Sequence, residues 1–246
     1  MDHPDDALGA IRRFWNEDAA TYDNAPGHRP RDPAVQRVWA ETLARLLPPP
    51  PASVLDCGAG TGFLSLAAAR AGHRVTALDL APAMLERLTE SAAAEGLDVT
   101  TVVGRADQPP TGPFDVVVER HLLWTLPDPA TALRAWRGVA DRLVVFETVW
   151  GRTGPLEVAR ARLRRRLHQW RRAPSDHHGE YDESLRRSLP FGTGTPPSEV
   201  VAAVAAVGWR ETNLVWLKEV TSAERRALPL PERLVGVPPR FAVTAG

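Results

Sequence analysis

The chain has 246 residues, 43% of them hydrophobic and 24% charged, which suits a globular protein with a real core. Its formal net charge is zero, so no global field favours nucleic acid or an anionic membrane. One cysteine, Cys57, excludes an intrachain disulfide and any cysteine-cluster zinc site.

Leu8, Ile11, Phe14 and Trp15 recur at helical spacing and predict a helix over 8–23. Residues 25–30 read as a loop by their Pro and Gly content. A second helix fits 33–47, with Val35, Val38, Trp39, Leu43, Leu46 and Leu47 on one face, and Pro48 to Pro51 stop it.

A strand–helix alternation then begins. Strand one holds Val54 and Leu55, and its helix runs from Phe63 to Ala71. Strand two spans 74–80, and Pro82 opens the next helix. Strands three and four fit 98–103 and 114–119, a helix fits 130–139, and strand five fits 142–149. This order implies a parallel sheet with right-handed crossovers. Residues 151–195 break it with a helix over 155–170 and a polar loop at 174–179. A helix at 197–207, a strand at 211–220 and a last strand near 240–244 follow. No run of about 18 apolar residues exists and the N-terminus is acidic, so neither a membrane span nor a signal peptide is expected, and a cytoplasmic protein is the default.

The stretch Asp56-Cys-Gly58-Ala-Gly60-Thr-Gly62 is the most informative. An acid leads three alternating glycines between a strand and a helix, a turn that lets the backbone approach a ligand where a β-carbon would collide. Asp79 ends strand two, and Asp107 follows strand three in Gly104-Arg-Ala-Asp107. The spacing departs from the G-x-G-x-x-G of nicotinamide and flavin sites.

Over roughly 52–149 these residues resemble the class I S-adenosylmethionine-dependent methyltransferases of the small-molecule type. The resemblance implies an α/β, Rossmann-like, seven-stranded and mostly parallel sheet, with an N-terminal helical cap and a helical insert after strand five. The divisions are a cap over 1–51, a cofactor-binding core over 52–150, the insert over 151–195, and the C-terminal part of the sheet over 196–246. The cofactor site it implies comprises Tyr22, Asp56, Gly58, Gly60, Asp79, Leu80, Met84, Ala106, Asp107 and Arg120. Asp79 would take the ribose hydroxyls, Asp107 the adenine amino group, and Leu80 and Met84 the ring faces. The segment after strand four, ending His121-Leu-Leu-Trp-Thr-Leu-Pro-Asp128, is similar to the family's fourth motif, with Trp124 where a histidine is common. Residues 22–28 resemble the N-terminal lid of actinobacterial members.

Methyl transfer is an in-line displacement for which the protein supplies positioning and exclusion of water. His121 is the first candidate base and His28 the second, because imidazole titrates near working pH; packing of the loop after strand four is the other reading of His121. Trp15, Trp124, Trp150 and Trp170 fall where an acceptor pocket is expected. His177-His178 has neither a cysteine partner nor H-E-x-x-H spacing, so no metal is expected. Seven arginines lie between Arg160 and Arg172. With an apolar stripe and a neutral chain they read as the outer face of a helix, and no nucleic acid is expected. The resulting expectation is methylation of a small molecule, at oxygen first, nitrogen second and carbon third, with a specialised metabolite as acceptor and a monomer or homodimer as the assembly. An RNA methyltransferase and a non-catalytic cofactor-binding domain are the rivals.

Overall fold

The computed structural model describes residues 4–25, 27–151 and 181–246, together with 159, 160, 162, 163 and 166. One seven-stranded sheet has the order β3-β2-β1-β4-β5-β7-β6. The strands are β1 (Ser53–Cys57), β2 (Arg74–Asp79), β3 (Val99–Val103), β4 (Val116–Arg120), β5 (Leu143–Thr148), β6 (Asn213–Trp216) and β7 (Arg240–Ala245). β1 to β5 pair in parallel, and β7 runs antiparallel between β5 and β6.

Alternation along the strands divides the core into two layers. Leu55, Val117, Leu143, Val145, Phe241 and Val243 point to one face. There they meet α5 (Pro129–Arg137) and α7 (Pro197–Ala206) through Leu133, Trp136, Val200 and Val204. Val54, Val116, Val118, Val144, Phe146 and Ala242 point to the other face. They pack on α2 (Pro33–Leu46), α3 (Phe63–Arg70) and α8 (Lys218–Ala227). α4 (Pro82–Ala94) adds Leu85 and Leu88 beside Ala77. α1 (Pro4–Asp18), the short α6 (Glu183–Ser188) and α9 (Leu230–Val235) complete the described helices.

Four segments differ from the sequence expectation. The first helix ends at Asp18, and Tyr22–Asn24 form a separate 3-10 turn. The strand expected over 211–220 ends at Trp216, and Lys218 starts α8. The reason is period: Leu217, Val220 and Ala223 are all buried, a three-residue repeat that a strand cannot place on one face. α6 and α9 carried too few periodic residues to be expected. The helix expected over 155–170 is helical at 159, 160, 162, 163 and 166, and its remaining residues, with the polar loop at 174–179, lie outside the described residues.

The order reverses between β1 and β4. Ligands of open α/β sheets bind at such a switch point, beyond the carboxyl ends of the strands. Asp56, Asp79, Arg120 and the Gly104–Asp107 loop all lie at that edge.

Candidate cofactor and acceptor site

The turn after β1 places Gly58, Gly60 and Gly62 at φ of 67°, 54° and 93°. Side chains are disfavoured there. A β-carbon on Gly58 would stand 2.7 Å from Leu122 Cδ1, and one on Gly62 would stand 2.6 Å from Leu88 Cγ. The amides of Gly58 and Ala59 donate to the carbonyl of Leu78 at 2.8 and 3.1 Å. These amides therefore hold the turn onto β2 and do not form an anion cradle.

Asp79 joins the two halves of the turn. Its Oδ2 accepts from the amide of Gly60 and its Oδ1 from that of Ala81, both at 2.8 Å. A carboxylate has about four acceptor positions, so about two remain for a ligand. Burial pushes this carboxyl up against those hydrogen bonds. Asp107 is gripped by Arg105 Nε and Nη2 at 2.9 and 2.7 Å, which holds it below the usual carboxylate range. Trp136 Nε1 donates to the Ala106 carbonyl at 2.7 Å and fixes that loop on the core.

These groups border a cavity of about 280 Å³. β2, α4 and the loop after β3 contribute Asp79, Leu80, Met84, Gly104, Arg105, Ala106 and Asp107 to its lining. α1, the N-terminal segment and the segment after β4 contribute Leu8, Ile11, Trp15, Tyr22, His121, Leu122, Thr125 and Leu126. A smaller recess beneath the turn is lined by Tyr22, Asp56, Gly58, Gly60, Thr61 and Arg120. Asp56 accepts from Ser65 Oγ at 2.6 Å, and burial raises its carboxyl to about 7.

The N-terminal segment closes over the recess. Thr61 Oγ1 donates to Asp23 at 2.6 Å, and Arg29 bonds Asp23 at 3.1 Å and Ser91 at 2.9 Å. Arg120 donates to the carbonyls of Gly27 and His28, and its guanidinium lies 4.1 Å from the centre of the Phe63 ring. Burial lowers Arg120 to about 10. Its Nε is buried with no partner among the described residues.

The expected catalytic and acceptor residues are distributed differently. His121 borders the cavity, but Nδ1 faces Glu147 Oε2 at 3.1 Å and Nε2 faces Arg240 Nη1 at 2.9 Å. Its two nitrogens are thus both engaged by protein groups, which the expected base role did not foresee. His28 stacks on Tyr22 with centroids 4.0 Å apart and bonds the Tyr22 carbonyl through Nδ1 at 2.9 Å. It stands behind Tyr22 rather than in the cavity lining. Trp15 lines the cavity. Trp124 packs behind it, 6.0 Å from Trp15, 5.0 Å from Tyr181 and 5.8 Å from Trp150. Trp170, His177 and His178 lie outside the described residues. Among the described residues no group of three or more His, Cys, Asp or Glu could hold a metal.

Sequence reasoning passed over Tyr181 and Arg240. Tyr181 is buried and its hydroxyl bonds Thr125 Oγ1. Neither residue sits in a motif, and no local pattern signals either.

Residues 54–142 match the family described as "Methyltransferase domain". A ubiquinone biosynthesis O-methyltransferase of Xanthomonas campestris pv. campestris (strain B100) is 37% identical over 127 residues, covering 50% of this chain and 49% of that protein. The chain thus spans about half the length of the named relatives it matches. In structure it is similar to a SAM-dependent methyltransferase from Aquifex aeolicus, at TM-score 0.55 and 15% identity, covering 100% of this chain and 98% of that one. It is also similar to Haemonchus contortus phosphoethanolamine N-methyltransferase 2, determined with S-adenosylhomocysteine, at TM-score 0.62 and 16% identity, covering 100% and 60%. Residues 54–142 therefore form a methyltransferase domain, on a fold shared with S-adenosylmethionine-dependent methyltransferases.

The residues present fit that cofactor. Asp79 keeps acceptor capacity, the glycine turn clears space for a close approach, and the buried, unpartnered Arg120 Nε borders the recess. No helix among the described residues is long and apolar enough to cross a membrane.

Proposed function

We propose that this protein transfers a methyl group from S-adenosylmethionine to an oxygen atom of a small, largely apolar molecule. The observation that carries the reading is one cavity lined by two chemically different sets of residues. Asp79 and Asp107 suit a nucleoside, and Leu8, Ile11, Trp15, Leu122 and Leu126 supply apolar surface that suits an apolar acceptor. The O-methyltransferase name of the Xanthomonas relative favours oxygen.

The cofactor supplies an electrophilic methyl group on a positively charged sulfur. The protein's part is binding, alignment and exclusion of water. Asp79 takes the ribose hydroxyls and Asp107, steadied by Arg105, the adenine edge. Ala106 lies along that edge, while Leu80 and Met84 cover the ring. Gly58 and Gly60 let the backbone lie against the ligand, and Tyr22 covers the methionine end. Arg120 and Asp56 border the recess for the amino-acid group. The aromatic layer of Trp15, Trp124 and Trp150 walls off water. His121 acts as a neutral wall of the cavity, and His28 holds Tyr22 in place. A specialised metabolite as acceptor accords with the apolar wall.

Calorimetry with S-adenosylhomocysteine tests the cofactor half, and absence of binding would overturn the proposal. Incubation with S-adenosylmethionine and a panel of apolar phenols and carboxylic acids, read by mass for one added methyl group, tests the acceptor half.

A further inference from the structure

His121 has a backbone that calls for explanation. Its φ is +59°, a left-handed conformation that a residue with a side chain adopts at a cost. Its amide donates to the Phe146 carbonyl at 3.1 Å, and its ring is held from two sides. On the β5 side Nδ1 meets Glu147 Oε2 at 3.1 Å. On the β7 side Nε2 meets Arg240 Nη1 at 2.9 Å, with Thr148 Oγ1 at 3.3 Å. Arg240 is itself anchored, since its Nε donates to Glu224 Oε2 on α8 at 2.9 Å and its Nη1 donates to Thr148. The side chains of Arg240 and Glu224 are only 12% and 11% exposed, so water competes little for the pair.

Hydrogen-bond chemistry allows one assignment. A guanidinium only donates, so Nε2 must carry the lone pair. The proton of a neutral ring then sits on Nδ1 and points at Glu147. A second proton on Nε2 would set N–H against N–H.

We propose that Arg240 is a positioning residue which acts through His121, locking the imidazole as the neutral Nδ1–H form so that the ring adds no positive charge to that of Arg120 beside a cationic methyl donor. The inference rests on the proposed S-adenosylmethionine site. The donor's sulfur is positive, and an imidazolium in the same cavity would repel it. The product, S-adenosylhomocysteine, is uncharged at sulfur and would not be repelled. Arg240 thus protects discrimination for the donor without touching it.

The charged and titratable groups around the ring come from each neighbouring element: Glu119 and Arg120 on β4, Glu147 on β5, Arg240 on β7, His28 on the N-terminal segment, and Glu224 on α8 behind Arg240. Burial, then Arg120, Arg240 and His28, hold the imidazole well below its ordinary range. Burial raises the Glu147 carboxyl above its ordinary range.

The test has a ligand-free arm and a binding arm. In 15N-histidine spectra, with His121 assigned by comparison with His121→Gln, the wild type should show an unprotonated Nε2 that is invariant from about pH 5.5 to 8.5. Arg240→Gln should make the ring titrate in that window, and Arg240→Lys, which keeps a cationic donor, should restore the wild-type spectrum. In the binding arm, the ratio of S-adenosylmethionine to S-adenosylhomocysteine affinity should be flat with pH for the wild type and Arg240→Lys. For Arg240→Gln it should fall about tenfold between about pH 8 and 5.5. The ratio cancels general damage to the fold. A wild-type ring that titrates in this window or carries its proton on Nε2, or a flat ratio in Arg240→Gln, overturns the proposal. If neither ligand binds the wild type, the cofactor reading fails, and the spectra still decide the state of His121.

Discussion

The two ends of the sheet are built by opposite means where they meet the cavity. The β1–β3 end is made from short-range backbone geometry: three glycines in one turn, and an acid in or shortly after each strand. The β4–β7 end is made from side chains that meet across long stretches of chain. Tyr181 reaches Thr125 across 56 residues, and Arg240 reaches His121 across 119. The first construction is written in neighbouring residues. The second rests on pairs of side chains that no local pattern announces.

If this contrast holds, damage to the first end should be large and specific to the cofactor. Asp79→Ala removes the proposed ribose acceptor and two backbone hydrogen bonds, and should weaken S-adenosylhomocysteine binding on the order of a hundredfold by calorimetry. A loss below threefold would mean that the nucleoside is held elsewhere.

Two glycines with nearly the same backbone separate conformation from crowding. Gly58 and Gly96 have φ of 67° and 64°, but a β-carbon on Gly58 meets Leu122 at 2.7 Å while one on Gly96 meets nothing within 4 Å. Gly58→Ala should cost about 3 kcal/mol of stability in urea titration and Gly96→Ala about 1 kcal/mol. Equal losses would show that the turn carries only a conformational requirement.

Asp56 tests burial beneath the same turn. Its carboxyl rises from 3.8 to about 7 on folding. The folded state holds the proton more tightly, so this group's stabilisation is complete below about pH 4 and is lost as pH rises through about 7. Asp56→Asn imitates the protonated acid and should be more stable than the wild type at pH 8 by on the order of 2 kcal/mol, with a smaller gain at pH 5. Parallel urea midpoints at the two pH values would place the buried proton elsewhere.

The smallest effect belongs to the far end. Tyr181→Phe leaves the buried Thr125 hydroxyl without that partner and should cost about 1 kcal/mol. S-adenosylhomocysteine affinity should stay within about twofold, while acceptor KM rises. A matching loss of cofactor affinity would erase the distinction between the two ends.

The strand–helix order, the glycine turn and the acids after β1, β2 and β3 were legible because each depends on neighbours in sequence. Period two marks a strand, period 3.6 a helix, and an alternating glycine run marks a turn without β-carbons. The clearest break came at Lys218, where an apolar run read as strand continues as helix, because the facing helix α2 buries Leu217, Val220 and Ala223 at helical spacing. The apolar lining of the cavity was less legible. Four tryptophans were expected at an acceptor pocket; Trp15 lines the cavity, Trp124 and Trp150 stand behind it, and Trp170 lies outside the described residues.

The sequence by itself determined the sheet, the edge at which a ligand binds, and the acids that face it, since local pattern and chain order dictate these. Only the tertiary structure decided the state of His121, the grip of Arg120 on the lid carbonyls, and the place of Tyr181. Each depends on a donor and an acceptor brought together from distant segments in a dry interior, where an engaged lone pair changes what a side chain can do.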